Sequence, residues 1–190
     1  DEARFEVPTH RWTLLDDGRD GVGLLNDGRY GHAVVGGTMS LTLIRAPIFP
    51  DPFADEGEHE TTYALRPQRG GDREGAVASA HDLNAPLQGV VVPASGRDAP
   101  PSASLLAVEG DGVRLAALKP AADGNDAVLR LYQATGRPAR ATVTRLPDGW
   151  ALGSVVDLLE RRSGDADLGA GTDLRGHQVV SVRLERPERS

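Results

Sequence analysis

The chain contains no cysteine, which excludes disulfides and thiolate chemistry and leaves any metal to histidine and carboxylate ligands. It has no basic stripe interleaved with aromatics, and with 4% aromatic residues and a net charge of −7 it is not a general nucleic-acid binder. No apolar run approaches the ~18 residues of a membrane span, and the opening "DEARFEVPTH" does not read as a signal peptide. Lysine is nearly absent as well: Lys119 stands alone and every other basic residue is arginine. That skew, alongside abundant Ala, Gly and Asp, reads as codon bias, so arginines are not each taken as anion clamps. The absence of cysteine is compatible with a cytoplasmic setting. The chain opens in mid-pattern without an initiator Met, as a piece of a longer polypeptide would.

What is present is a soluble globular composition, with 39% hydrophobic and 26% charged residues over 190 positions. That length suffices to bury a core. The dominant hydrophobic period is two. Met39, Leu41 and Leu43 alternate with Thr38, Ser40 and Thr42, and Val180, Val182 and Leu184 alternate with Ser181, Arg183 and Glu185. Residues 113–118, 127–133 and 141–146 behave alike. Such alternation predicts strands with one face on a core and one in water. Turn signals recur at Asp27-Gly28, Gly36-Gly37, "EGDG" (109–112), "DGND" (123–126), "TGRP" (135–138) and "PDGW" (147–150). In "GVGLLNDGRYGHAVVGGTMSLTLIRAP" (21–47) the first two of these predict hairpins joining strands 21–26, 29–35 and 38–44. The expected fold class is all-β, an antiparallel β-sandwich of many short strands.

One short helix is expected at 72–84, where Ala76, Val77, Ala80 and Leu83 share a face and Asp72 is placed to cap the start. A single helix makes a parallel α/β sheet a poor alternative. Residues 45–60 carry three prolines and a cluster of carboxylates, the mark of a long, stiff loop. The Pro/Ser/Gly-rich stretch 93–104 reads as a mobile surface loop or a joint between halves.

Candidate chemistry is sparse. His10, His32, His59, His81 and His177 include no pair at helical metal spacing, and there is no nucleophile elbow, P-loop or dinucleotide fingerprint. The best candidate is "DPFADEGEHE" (51–60), which concentrates Asp51, Asp55, Glu56, Glu58, His59 and Glu60 beside a constraining "PDP". Acceptor-rich carboxylates suit sugar hydroxyls or a metal; on composition alone, a solvated acidic loop is the simpler reading. Trp12 and Trp150 are candidates to stack on sugar or to plug the core. Asn26, Asp27, Arg29 and His32 read as turn formers and scaffold.

Taken in order, "FEVPTHRW" (5–12), residues 21–47, "PDPFADEGEHETTYAL" (50–65) and "DLNAPL" (82–87) form a recognisable series. It continues with "VRLAALKPA" (113–121), "VLRLYQATG" (128–136) and "VVDLLE" (155–160). The series resembles the C-terminal β-rich region of family 38 α-mannosidases, in their cytosolic and bacterial branch, over nearly the whole chain. The chain departs from the family blocks at His32, where a second Tyr is usual, and at Ala46, Gln133, Gln68 and Arg73.

The resemblance implies a C-terminal domain spanning 1–190, with the catalytic barrel absent. Family members are retaining exo-α-mannosidases that need two carboxylates about 5–5.5 Å apart. Their nucleophile, acid/base and zinc ligands, two His and two Asp, sit in an N-terminal β/α barrel. No catalytic residue and no metal or other cofactor is therefore expected on this chain, while the parent enzyme is expected to hold zinc or another divalent cation. Expected partners are the N-terminal catalytic domain of the same polypeptide and, through the parent, a mannoside substrate, with neither nucleic acid nor membrane. Self-association into a homo-oligomer is a further expectation. The resemblance places Asp55, Glu56, Glu58 and His59 at the rim of the sugar site as contacts rather than catalysts. The alternative is a stand-alone carbohydrate-binding or oligomerisation module.

Overall fold

A computed structural model describes residues 6–91, 102–165 and 167–186. The chain divides at Val91/Val92 into two compact units. Residues 93–101 of the Pro/Ser/Gly stretch lie outside the described residues.

The first unit comprises β1 (Val7–Pro8), β2 (Trp12–Asp16), β3 (Asp20–Asn26), β4 (Gly31–Val35), β5 (Thr38–Leu41), β6 (Tyr63–Arg69) and α1 (Arg73–Asn84). They form two antiparallel three-stranded sheets, ordered β1-β4-β5 and β2-β3-β6. The helix packs on β2 and β3 through Ala76, Val77 and Ala80, each at most 1% exposed. Asp72 caps it as its residue type and position require: the Asp72 carboxylate accepts the Gly75 N–H at 2.9 Å. Leu24 and Leu25, consecutive residues on opposite faces of β3, are both buried.

The hairpin expected at Gly36-Gly37 forms. Both glycines adopt positive φ, 56° and 80°, which a two-residue turn of the primed type demands, and Val35 faces Thr38 in register. The hairpin expected at Asp27-Gly28 does not form. As the central strand of its sheet, β3 has both edges taken by β2 and β6, so β4 has no edge to join and belongs to the other sheet. Asn26 makes the crossing instead, its side-chain oxygen accepting the N–H groups of Gly28 and Arg29 at 2.9 and 2.7 Å. The third strand also ends early, at Leu41 rather than Ile44. One further bond follows, from Thr42 N–H to the Gly31 carbonyl at 2.9 Å, before the chain turns away at Ala46.

The second unit comprises β7 (Ala107–Glu109), β8 (Val113–Pro120), β9 (Ala127–Gln133), β10 (Ala139–Arg145), β11 (Ala151–Val156), β12 (Arg162–Gly164), β13 (Thr172–Leu174) and β14 (Val179–Glu185). A five-stranded antiparallel sheet, β12-β11-β14-β9-β8, faces a three-stranded one, β13-β10-β7. Leu129, Leu131, Val182 and Leu184 of the larger sheet meet Ala141, Val143 and Leu174 of the smaller in one core. Each such leucine contributes about 1.5–3 kcal/mol. This is the sandwich that period-two patterning predicts, with one difference. In the central strands β9 and β14 the second face is also covered: Val128 is 1% and Ser181 3% exposed. Arg183 crosses that face, and its guanidinium is bonded to Asp126 at 2.7 Å and Asp123 at 2.8 Å. No helix among the described residues is long and apolar enough to cross a membrane.

Candidate functional site

The long connection from β5 to β6 carries the residues singled out for sugar contact, and its backbone is fastened at several points. Proline at 47, 50 and 52 restricts the chain. The Asp51 carboxylate accepts the Phe53 N–H at 2.9 Å, and turns close from Asp51 to Ala54 and from Phe53 to Glu56. The Asp55 carboxylate reaches back nine residues to accept the Ala46 N–H at 2.7 Å, and the His59 Nε2–H donates to the Asp55 carbonyl at 3.0 Å.

The far end of the loop is tied to the turn after β3. Asp27 and Thr62 exchange two bonds, one backbone at 3.1 Å and one from the Thr62 N–H to the Asp27 carboxylate at 2.7 Å. Arg29 Nε donates to Thr61 Oγ1 at 2.8 Å and its terminal nitrogen to the Glu60 carbonyl at 3.2 Å.

Beneath that turn lies a buried polar network. His32 and Asn26 are 1% and 0% exposed. Because Asn26 Oδ1 accepts two backbone N–H groups, its amide nitrogen points to His32 Nε2, at 3.2 Å. His32 Nε2 also lies 3.3 Å from the Arg29 carbonyl, and Nδ1 is hydrogen-bonded to Thr13 Oγ1 at 2.7 Å. Asn84, at the end of α1, donates to the Asn26 and Ala80 carbonyls at 2.9 Å each. Burial drives the His32 pKa below its ordinary value, with the Arg29 carbonyl opposing that shift. The network holds β2, β3, β4 and α1 in one arrangement and so sets the turn against which the loop is fastened.

Above the turn, loop and strand enclose an open hollow of about 710 Å³ whose lining includes Glu6, Arg29, Tyr30, Arg45, Asp55 and His59. It pairs cationic donors with carboxylate acceptors beside an aromatic face. Tyr30 is 54% exposed and stacks on His10 with ring centroids 5.5 Å apart. Arg45 has no carboxylate partner among the described residues. Matched donors and acceptors with an adjacent ring suit a neutral polyhydroxylated ligand.

Of the four residues expected at a sugar rim, Asp55 and His59 line this hollow; Glu56 and Glu58 are exposed and are not among its lining residues. The sequence reads Arg29 as scaffold and points to no role for Tyr30 or Arg45. The available signal was their position at the two ends of segments that converge on the acidic loop. Trp12 is half-buried opposite Leu25 in the β2/β3 pair. Trp150 packs against the second unit's core and lines a shallow groove of about 470 Å³ with Leu118, Pro147 and Leu184. The Arg186 guanidinium stands 5.8 Å over its ring. Among the described residues no three His, Asp or Glu side chains come together to hold a metal ion.

Comparison with known proteins returns one family for both units. Residues 1–53 match the glycosyl hydrolases family 38 C-terminal domain, and residues 112–184 match the glycosyl hydrolases family 38 C-terminal beta sandwich domain. The chain is 43% identical over 166 residues to alpha-mannosidase 2C1 of Homo sapiens, covering 85% of this chain and 16% of that protein. Against alpha-mannosidase 2C1 of Mus musculus it is 41% identical over 167 residues, with the same coverage. Alpha-mannosidase G of Dictyostelium discoideum is 33% identical over 138 residues, 72% of this chain and 13% of the relative. In fold, the chain is similar to a family 38 glycosyl hydrolase of Enterococcus faecalis, with a TM-score of 0.71 at 18% identity, covering 97% of this chain and 23% of that one. The chain thus spans about a sixth of the length of the α-mannosidase 2C1 relatives it matches.

Proposed function

The chain belongs to the glycosyl hydrolase family 38 C-terminal domains, and we propose that it serves as the non-catalytic C-terminal part of a retaining α-mannosidase. In this reading it packs on the catalytic part of the same polypeptide and completes the rim of the cleft that takes a terminal α-mannoside. The observation that carries the proposal is the similarity to two α-mannosidases at 41% and 43% identity across 85% of this chain. The hollow supports the placement of the rim. Asp55 offers a hydrogen-bond acceptor and His59, Arg29 and Arg45 offer donors around an open space of about 710 Å³, within the range of small-molecule sites. These groups position hydroxyls, while the nucleophile, the acid/base and a zinc or similar divalent cation belong to the catalytic part, in a cytoplasmic enzyme.

The test is an assay of the longer polypeptide and of this chain on an aryl α-mannoside. The longer polypeptide turns it over with a requirement for a divalent cation, and this chain does not. Turnover by this chain alone overturns the reading.

The Trp150 groove favours a second reading, a carbohydrate-binding module that holds mannosides by itself through an aromatic platform. Calorimetric titration with mannose and mannobiose separates the two: heat at millimolar ligand from this chain supports the module, and its absence leaves the accessory domain.

A further inference from the structure

We propose that Ile48, Phe49 and Phe53 form the ridge by which this chain seats on the rest of its own polypeptide; the inference rests on the family reading above. These three side chains are 83%, 88% and 66% exposed, all within six residues of one another. Large apolar groups gathered at such exposure mark an interaction surface, and aromatic residues are enriched at the centres of interfaces. The ridge is also ordered in advance. Pro47 precedes it and Pro50 and Pro52 lie within it, Asp51 holds the Phe53 N–H at 2.9 Å, and Asp55 holds the Ala46 N–H at 2.7 Å. A surface fixed before contact loses less entropy on docking.

Charge selects the occupant. Glu56, Glu58 and Glu60 flank the ridge, exposed and without a cationic partner among the described residues. The complementary surface is an apolar hollow edged with arginine or lysine. A second copy of this chain does not supply one: a two-fold interface sets the same patch against itself, carboxylates facing carboxylates on a chain of net charge −7. The human relative extends well beyond the 16% of its length that this chain covers. The remaining chain is covalently linked and so present at high effective concentration.

The experiment is hydroxyl-radical footprinting of the intact longer polypeptide, read by mass spectrometry at Phe49 and Phe53 and run at a concentration where sedimentation shows a monomer. The expected result is labelling at least about fivefold slower than in the urea-unfolded chain, consistent with a desolvated interface. Labelling at the unfolded rate overturns the proposal. Protection that disappears on dilution from dimer to monomer also overturns it, in favour of a second copy. Phe49→Asp, which leaves the unit's own packing untouched at 88% exposure, should raise labelling of Phe53 several-fold, and Phe49→Leu should not; unchanged labelling in the aspartate variant counts against the ridge. If Phe49 is protected but the polypeptide fails to hydrolyse an α-mannoside, the family reading of activity fails while the docking surface stands.

Discussion

The Asp55 carboxylate accepts the Ala46 N–H at 2.7 Å across nine residues of chain. That bond closes the loop between β5 and β6 and holds Ala46 in the left-handed region at φ 47°, a conformation that costs a non-glycine residue about 1 kcal/mol. Arg45 precedes the kink and Asp55 closes it, so one hydrogen bond sets both walls of the hollow.

Asp55→Ala in the longer polypeptide should lower kcat/KM on an aryl α-mannoside about tenfold, the scale of loss when a positioning contact is released. Asp55→Asn keeps an acceptor oxygen and should retain most of the activity. Amide exchange at Ala46 should accelerate in the alanine variant, which checks the bond independently of turnover. Equal kinetics in the two variants would argue that the clip is irrelevant to the rim.

His32 makes the first unit sensitive to mild acid. Its folded pKa is lowered because burial disfavours the imidazolium, so the unfolded state binds the proton first. Stability is therefore full above the ordinary histidine value of about 6.5 and falls as pH drops from there toward the folded pKa. Thermal denaturation between about pH 7 and 5 should show this step, and His32→Gln should flatten it. The carboxylates of Asp72 and Asp157, lowered mainly by bonds to Arg66 and to the Arg161 N–H respectively, lose their contributions only at lower pH.

Lys119, the only lysine, is ion-paired to Glu160, whose side chain is 9% exposed and also accepts the Ala122 N–H at 2.6 Å. This ties the turn after β11 to the end of β8. Lys119→Met leaves a sequestered carboxylate without its cation and should lower the urea midpoint of the second unit with an unchanged m-value. An unaltered midpoint would show that Ala122 alone suffices to hold the turn.

Trp150→Ala removes a half-buried side chain that plugs the edge of the second core, and should cost roughly 2–3 kcal/mol by denaturant unfolding, less than a fully buried tryptophan. If Trp150 is a core plug rather than a sugar platform, this loss comes with no change in KM of the longer polypeptide.

Much of the second unit was legible in the sequence because period-two alternation and turn residues are local signals. The strands 127–133 and 179–185 fall where the pattern puts them, and Asp72 caps α1 as its residue type and position suggest. The Asp27-Gly28 hairpin was misread because edge occupancy is not local: whether β4 pairs with β3 depends on β6, some thirty residues further on. The burial of Ser181 escaped notice for a similar reason, since alternation shows only that two faces differ. At the site, the acidic loop stands out by composition; of Asp55, Glu56, Glu58 and His59, the first and last line the hollow and the other two do not. Arg29 reads as scaffold and Arg45 carries no mark at all, because a single arginine in an arginine-rich chain carries no signal until folding sets it beside an acceptor. The Arg29 bonds to Thr61 and Glu60 join residues more than thirty positions apart.

The most direct test is a structure of the longer polypeptide bound to a mannose-type inhibitor. The account predicts the sugar held in a catalytic cleft with Asp55, His59, Arg29 or Arg45 within hydrogen-bonding reach of its hydroxyls, about 3.2 Å or one bridging water. A sugar bound with residues 45–59 on a remote face, touching neither ligand nor cleft, would contradict it.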